Sequence, residues 1–275
     1  MTIAMTAPTA PLKGHLRISS ILRSEWIKMR TVRSTMWSLA ALVVVTIGVA
    51  VIATVETSSQ WHSMSLASRL SFDPTNVSLA GLIFSLLVIG VLGVLVMSAE
   101  YGTGTIRSSL AAVPRRPLLL VTKTAVFAAV AFVVGEVLAF ASFLVGQALL
   151  TSPTPHASLS QPGVLRAVVG GGLMVAVVGL LALGLATIIR HTAGALTAFF
   201  GILLVLPALV SALPSSIGNS IAKFLPLNIA NTMTTVVHTG GGAPALSPWA
   251  GFAAVCVYAI AALIVGGALM VRRDA

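Results

Sequence analysis

Six Asp and Glu, five His and one Cys are all that 275 residues offer for acid–base, nucleophilic or metal chemistry. No histidine lies at i, i+3 or i+4 from another ligand in an apolar run, the spacing that puts two ligands on one helix face, so no metal site is expected. No lysine follows a glycine, so the phosphate loop G-x-x-x-x-G-K-[ST] cannot occur, and H-E-x-x-H is missing as well. Every histidine falls outside the apolar runs, which leaves no Ser/His dyad for proteolysis within a membrane. The chain is therefore expected not to be an enzyme and to hold no cofactor or metal of its own. What stands out instead is three glutamates in unusual places, Glu25, Glu100 and Glu136.

The surroundings of these glutamates are apolar. Hydrophobic residues make up 57% of the chain, charged residues 8%, and the mean hydropathy is +1.04. A soluble domain is roughly a quarter charged, so this composition predicts an integral membrane protein. Six apolar runs reach the roughly 20 residues that span a bilayer, at about 36–55, 77–97, 125–150, 168–189, 193–213 and 250–271. Because the bilayer core offers no water to backbone groups, each continuous run reads as an α-helix and not as a barrel strand. Only Arg190, His191 and Thr192 separate the fourth and fifth runs: a tight hairpin, or one long segment misread as two. With the N-terminus in the cytoplasm, thirteen lysines and arginines fall inside and three (Arg69, Arg166 and Lys223) outside. That asymmetry predicts cytoplasmic termini. The +10 net charge sits between apolar runs, so it speaks for orientation and against nucleic acid. The expected organisation is a disordered tail (1–15), an interfacial amphipathic helix (16–35), a six-helix membrane domain (36–271) and a short tail (272–275). Residues 1–12 lack the regions of a signal peptide.

Two segments outside the spans carry the glutamates. In the first, Ile18, Ile21, Leu22, Trp26, Met29 and Val32 share one helical arc flanked by Arg17, Lys28, Arg23 and Arg30, the pattern of a helix lying in the membrane interface. Glu25 falls inside the apolar arc, where it either pairs with neighbours and snorkels or faces protein. In the second, Gly102 and Gly104 allow a turn after Glu100, and a short helix from about Thr105 places Ile106, Leu110 and Val113 on one face. Pro114 ends that helix, Arg115 and Arg116 follow, and Pro117 opens the next. Such a segment is either a docking element or a basic loop resting on headgroups. Glu136 lies within a run, where a lipid-facing carboxylate costs about 2.5–3.5 kcal/mol, so it is expected to face the bundle or dimer interior. It reads as a pathway residue, a helix–helix contact or a protonated acid. Pro207 is expected to kink the fifth span, and surface or re-entrant helices are expected within 214–249.

Ser24–Ser34 (SEWIKMRTVRS) before the first span and Glu100–Arg107 (EYGTGTIR) after the second resemble permease subunits of bacterial ABC type-2 transporters. Leu110–Arg116 (LAAVPRR) is similar to the actinobacterial branch, and Phe224–Asn228 also fits. The resemblance implies an all-α exporter permease in the cytoplasmic membrane that pairs with a second permease copy and two ATPase subunits. ATP and Mg would be bound by those subunits. Leu16–Met36 would be the connecting helix, with Glu25, Trp26, Lys28 and Arg30. Glu100, Gly104, Ile106, Arg107, Leu110, Val113, Arg115 and Arg116 would form the coupling element. Lipids, antibiotics and polysaccharides are cargoes of relatives of this kind. The competing readings are an ATP-independent channel or carrier built around Glu136, and a membrane protein that binds a toxin or sensor partner.

Overall fold

The computed structural model describes residues 18–31, 33–112, 115–237 and 245–272, and these contain helices and connecting turns but no strand. The expected N-terminal tail, Val113, the glycine run at 240–242 and residues 273–275 of the expected C-terminal tail lie outside the described residues, whereas Arg272 ends the last helix. Six helical stretches are long and apolar enough to cross a membrane: Thr35–Ser63, Leu82–Gly102, Arg116–Leu149, Val164–Ile189, Thr192–Ser211 and Pro248–Arg272. The protein is thus an all-α, multi-pass membrane protein.

The bundle is built from α1 (Ile18–Thr31), α2 (Arg33–Gln60), α3 (Leu66–Leu70), α4 (Pro74–Ser78), α5 (Leu82–Gly102), α6 (Thr105–Ala112) and α7 (Arg116–Leu149). It continues through α8 (Val164–Ile189), α9 (Thr192–Phe200), α10 (Leu206–Ser211), α11 (Ser215–Ala222), α12 (Pro226–Thr234) and α13 (Pro248–Arg272). Helix α8 is the axis, buried along most of its length and packed against α5, α7 and α13. Outer helices turn Val44, Ile52, Val133, Val137, Ile260 and Ile264 outward, which is where lipid tails belong.

Close backbone approach sets the α7–α8 crossing. A Cβ on Gly135 would stand 2.6 Å from the Gly172 carbonyl oxygen, and one on Gly172 would stand 2.7 Å from Cδ of Glu136. Small residues at such crossings let helices approach until backbone meets backbone, the main source of packing energy when lipid is the solvent.

Several helix limits differ from the apolar runs. Helix α7 begins at Arg116, nine residues before the apolar run, because Pro117 starts a helix well and Lys123 is buried among protein groups. Helix α5 begins at Leu82 instead of Val77, since Asp73 caps the separate short helix α4. Arg190 takes a left-handed backbone (φ 62°) and divides α8 from α9. Gly201–Val205 forms a π turn just before Pro207, with the Leu206 N–H reaching back to the Gly201 carbonyl. Proline cannot donate to the helical ladder, and this wider turn is how the fifth span absorbs the break. The region 214–249 contains α11 and α12, and α12 packs on both α8 and α13.

A buried ionic junction as the candidate functional site

The site begins with α1, whose 3.6-residue period brings Ile21, Glu25 and Met29 onto one buried stripe. The apolar arc seen in the sequence is split by this arrangement. Ile18 and Trp26 are more than or about half exposed, on the side free to meet the bilayer, while Glu25 is 3% exposed. Arg30 points outward.

Glu25 meets two lysines. Its Oε1 lies 2.7 Å from Nζ of Lys28, and its Oε2 lies 2.6 Å from Nζ of Lys123 on α7. Glu100, near the end of α5, pairs with the same two lysines through Oε1, at 3.1 Å and 2.7 Å. Two acids and two bases thus alternate around a ring, and their charges cancel. Each lysine bridges α1 to α5, and Lys123 adds α7. Oε2 of Glu100 is enclosed with no hydrogen-bond partner among the described residues.

Burial raises the Glu25 carboxyl, but the ammonium groups of Lys123 and Lys28 outweigh it and hold the pKa below the ordinary 4.5. Burial lowers Lys28, but the bond to Glu25 and the charge of Glu100 outweigh it and lift the pKa above 10.5. The depressed carboxyl contributes stability above its ordinary pKa that is lost as pH falls through the lower folded value. The raised ammonium contributes stability below pH 10.5 that is lost as pH rises through the higher folded value. Thermal unfolding of the detergent-solubilised chain should therefore be insensitive to these two groups between about pH 5 and pH 10 and weaken beyond both ends. Glu25→Gln should flatten the acid limb; an unchanged acid limb would remove Glu25 from that role.

Near the C-terminus of α5 the helix dipole opposes the carboxylate of Glu100, which calls for a cation beside it. Lys28 and Lys123 supply it within the chain. Two residues past α5, Gly104 has φ +72°, a left-handed conformation in which a side chain would be strained, and the chain turns there into α6. Ile106 was expected to reach out with Leu110 and Val113 as an apolar docking face. Ile106 is instead 3% exposed and packs into the chain's own core, two residues past the Gly104 turn. The side chains of Arg107 and Leu110 lie outside the described residues. Thr105, Ser108 and Ala111, at i, i+3 and i+6, form the outward face of α6.

A second set of contacts joins the end of α5 to α13. The Arg190 guanidinium lies 5.3 Å from the centre of the Tyr101 ring and donates to the Leu269 carbonyl at 2.9 Å. Arg116 donates to the neighbouring Met270 carbonyl at 2.9 Å. These two arginines satisfy carbonyls in the last turn of α13, whose partners the helix itself cannot provide.

Glu136 lies about 20 Å along α7 from Lys123, by helical rise, and takes no part in the junction. It is half-buried, packed over Gly172, and its Oε1 has no hydrogen-bond partner among the described residues. Its place on the α7–α8 contact is a helix–helix position.

At the other end of the bundle, Asp73 gathers four backbone N–H groups. Oδ1 accepts from Thr75 and Asn76 at 3.0 Å each, and Oδ2 accepts from Val236 and Val237 at 2.6 Å and 2.9 Å. Arg166 holds the same stretch from its carbonyl side, donating to Met233 and Thr235 at 2.9 Å each. Asp73→Ala removes a cap and strands buried donors, so it should cost about 2–4 kcal/mol, read as a lower melting temperature. Unchanged melting would show that water replaces the carboxylate at no cost.

Six membrane-length helices, α8 central among them, with a buried ion ring joining a terminal helix to the end of α5 beside a short turn helix, define a multi-pass membrane domain. The chain belongs to a known family: residues 21–207 match the ABC-2 family transporter protein, a span that holds most of α1, all of α6 and all four members of the ion ring. It is a permease subunit, a transport component of the membrane, and membership of this family implies association with an ABC ATPase. No curated protein matches the sequence.

Proposed function

We propose that this chain is the membrane subunit of an ATP-driven exporter of the cytoplasmic membrane, working with a second permease copy and a separate ATPase pair that binds ATP and Mg. The basic end faces the cytoplasm in this reading, which the distribution of lysine and arginine supports. Force enters through α6, the short helix that hangs on the Gly104 turn, with Thr105, Ser108 and Ala111 turned toward the partner. The observation that supports this most is the ion ring: it ties the end of α5, next to α6, to α1 and α7 with buried contacts between 2.6 Å and 3.1 Å. A displacement of α6 is then delivered to three helices together, and the Tyr101–Arg190 contact extends it to α13. The cargo is a lipid, antibiotic or other amphiphile.

The test is co-expression with a soluble ATPase carrying the phosphate loop this chain lacks, followed by co-purification and transport in liposomes. ATP-dependent accumulation of an amphiphile on the side away from the basic end supports the reading. Flux that proceeds without any ATPase would establish a channel or carrier instead.

A further inference from the structure

We propose that the groove between the start of α7 and the end of α13 is a binding site for a phosphate-headed lipid of the surrounding bilayer. The groove is lined by Arg115, Arg116, Pro117, Leu118, Val121 and Val271 and encloses about 630 Å³, within the usual range for sites that hold a small organic group. Its two ends differ in chemistry. At the rim, Arg115 is exposed at the N-cap of α7 and, among the described residues, has no ion-pair partner. Arg116 beside it is anchored by its bond to the Met270 carbonyl, which fixes a guanidinium between the two helices. The floor is Leu118, Val121 and Val271, and the two valines are 63% and 54% exposed.

Among the described residues, the charge at the rim is positive. The glutamates of the ion ring at this end, Glu25 and Glu100, are both paired with lysines, so neither offsets Arg115. The rim also stands at the N-terminus of a 34-residue helix, whose dipole favours an anion. An acidic protein segment would answer the arginines but not the floor. Val121 and Val271 belong to helices of membrane length and continue onto their outward faces, where acyl chains lie. Basic grooves between spanning helices at the cytoplasmic surface have the chemistry for anionic headgroups. Arg115 and Arg116, expected from the sequence as part of the coupling element, are by this proposal its lipid-facing border.

The test uses the full chain in phosphatidylcholine vesicles with spin-labelled phosphatidylglycerol or spin-labelled phosphatidylcholine as the probe. The wild type should prefer the anionic probe, and Arg115→Gln should lower that preference by about fivefold, the effect of one arginine at an anionic surface. Arg115→Lys should retain most of it. Arg33→Gln, an equal charge change at an exposed position outside the groove, should leave it nearly intact. Equal losses in Arg115→Gln and Arg33→Gln would mean a general surface field and overturn the site. Competition by inorganic phosphate alone would show an anion site without a lipid, and displacement of the probe by an ATPase subunit would put a protein in the groove; either result also overturns it.

Discussion

Lys123→Met should lower the unfolding free energy of the chain by about 3–5 kcal/mol, the cost of removing one partner from a buried ion pair. The side chains of Lys123 and Glu25 are each 4% exposed, so solvent does little to screen what remains. Methionine fills the volume but leaves Glu25 and Glu100 facing each other with only Lys28, whose side chain is 43% exposed. Melting in detergent measures the loss. The triple variant Lys123→Met, Glu25→Gln, Glu100→Gln removes the three buried charges and leaves only Lys28, which is 43% exposed and can turn to solvent. It should regain most of the loss, since exchanging buried ions for neutral groups is often tolerated. A Lys123→Met protein that melts like wild type would show that water reaches the ring and that burial contributes nothing there. If the triple variant is stable yet transports poorly, the ring serves transmission and not only folding.

The second large effect is expected on α6. Ala111→Trp places a bulky ring on the outward face of a helix of eight residues, away from the core side held by Ile106. Membrane insertion and melting should hardly change, because surface positions normally move stability by less than about 0.5 kcal/mol. Binding of an ATPase subunit should fall by at least about 30-fold, the cost of spoiling a central contact of an interface. Pull-down of the ATPase and ATP-dependent transport read the two consequences. Full binding and full transport by Ala111→Trp would move the point of energy input away from this face.

Much of the fold was legible because a bilayer imposes its own ruler: six apolar runs of the right length can only be helices. The limits of those helices were less visible. Nothing in the apolar pattern says that α7 continues down to Arg116, since that depends on a partner for Lys123. Glu25 could be singled out as an acid on an apolar arc, and Glu100 as an acid at an unfavourable helix end. Lys123 was counted only as one more positive charge at the inner surface. The available signal was its position, two residues before an apolar run and at the same membrane depth as two acids lacking cations. The burial of Ile106 comes two residues past a left-handed backbone angle at Gly104, which helical periodicity does not encode. Asp73 and Arg166 could not have been matched to their partners, because those are backbone atoms in a stretch far along the chain.

The alternation of charge around the ring also limits how the sequence can drift. Each lysine touches both glutamates, so no single member can change sign without placing like charges against its two neighbours. Reversal becomes admissible only when opposite members change in concert, for example Glu25 and Glu100 to lysine together with Lys28 and Lys123 to glutamate. Intermediates along that route pass through a charge imbalance at the buried members Glu25 and Lys123, each 4% exposed. Positions 25, 28, 100 and 123 are therefore constrained as one electrostatic unit, although three different helices carry them.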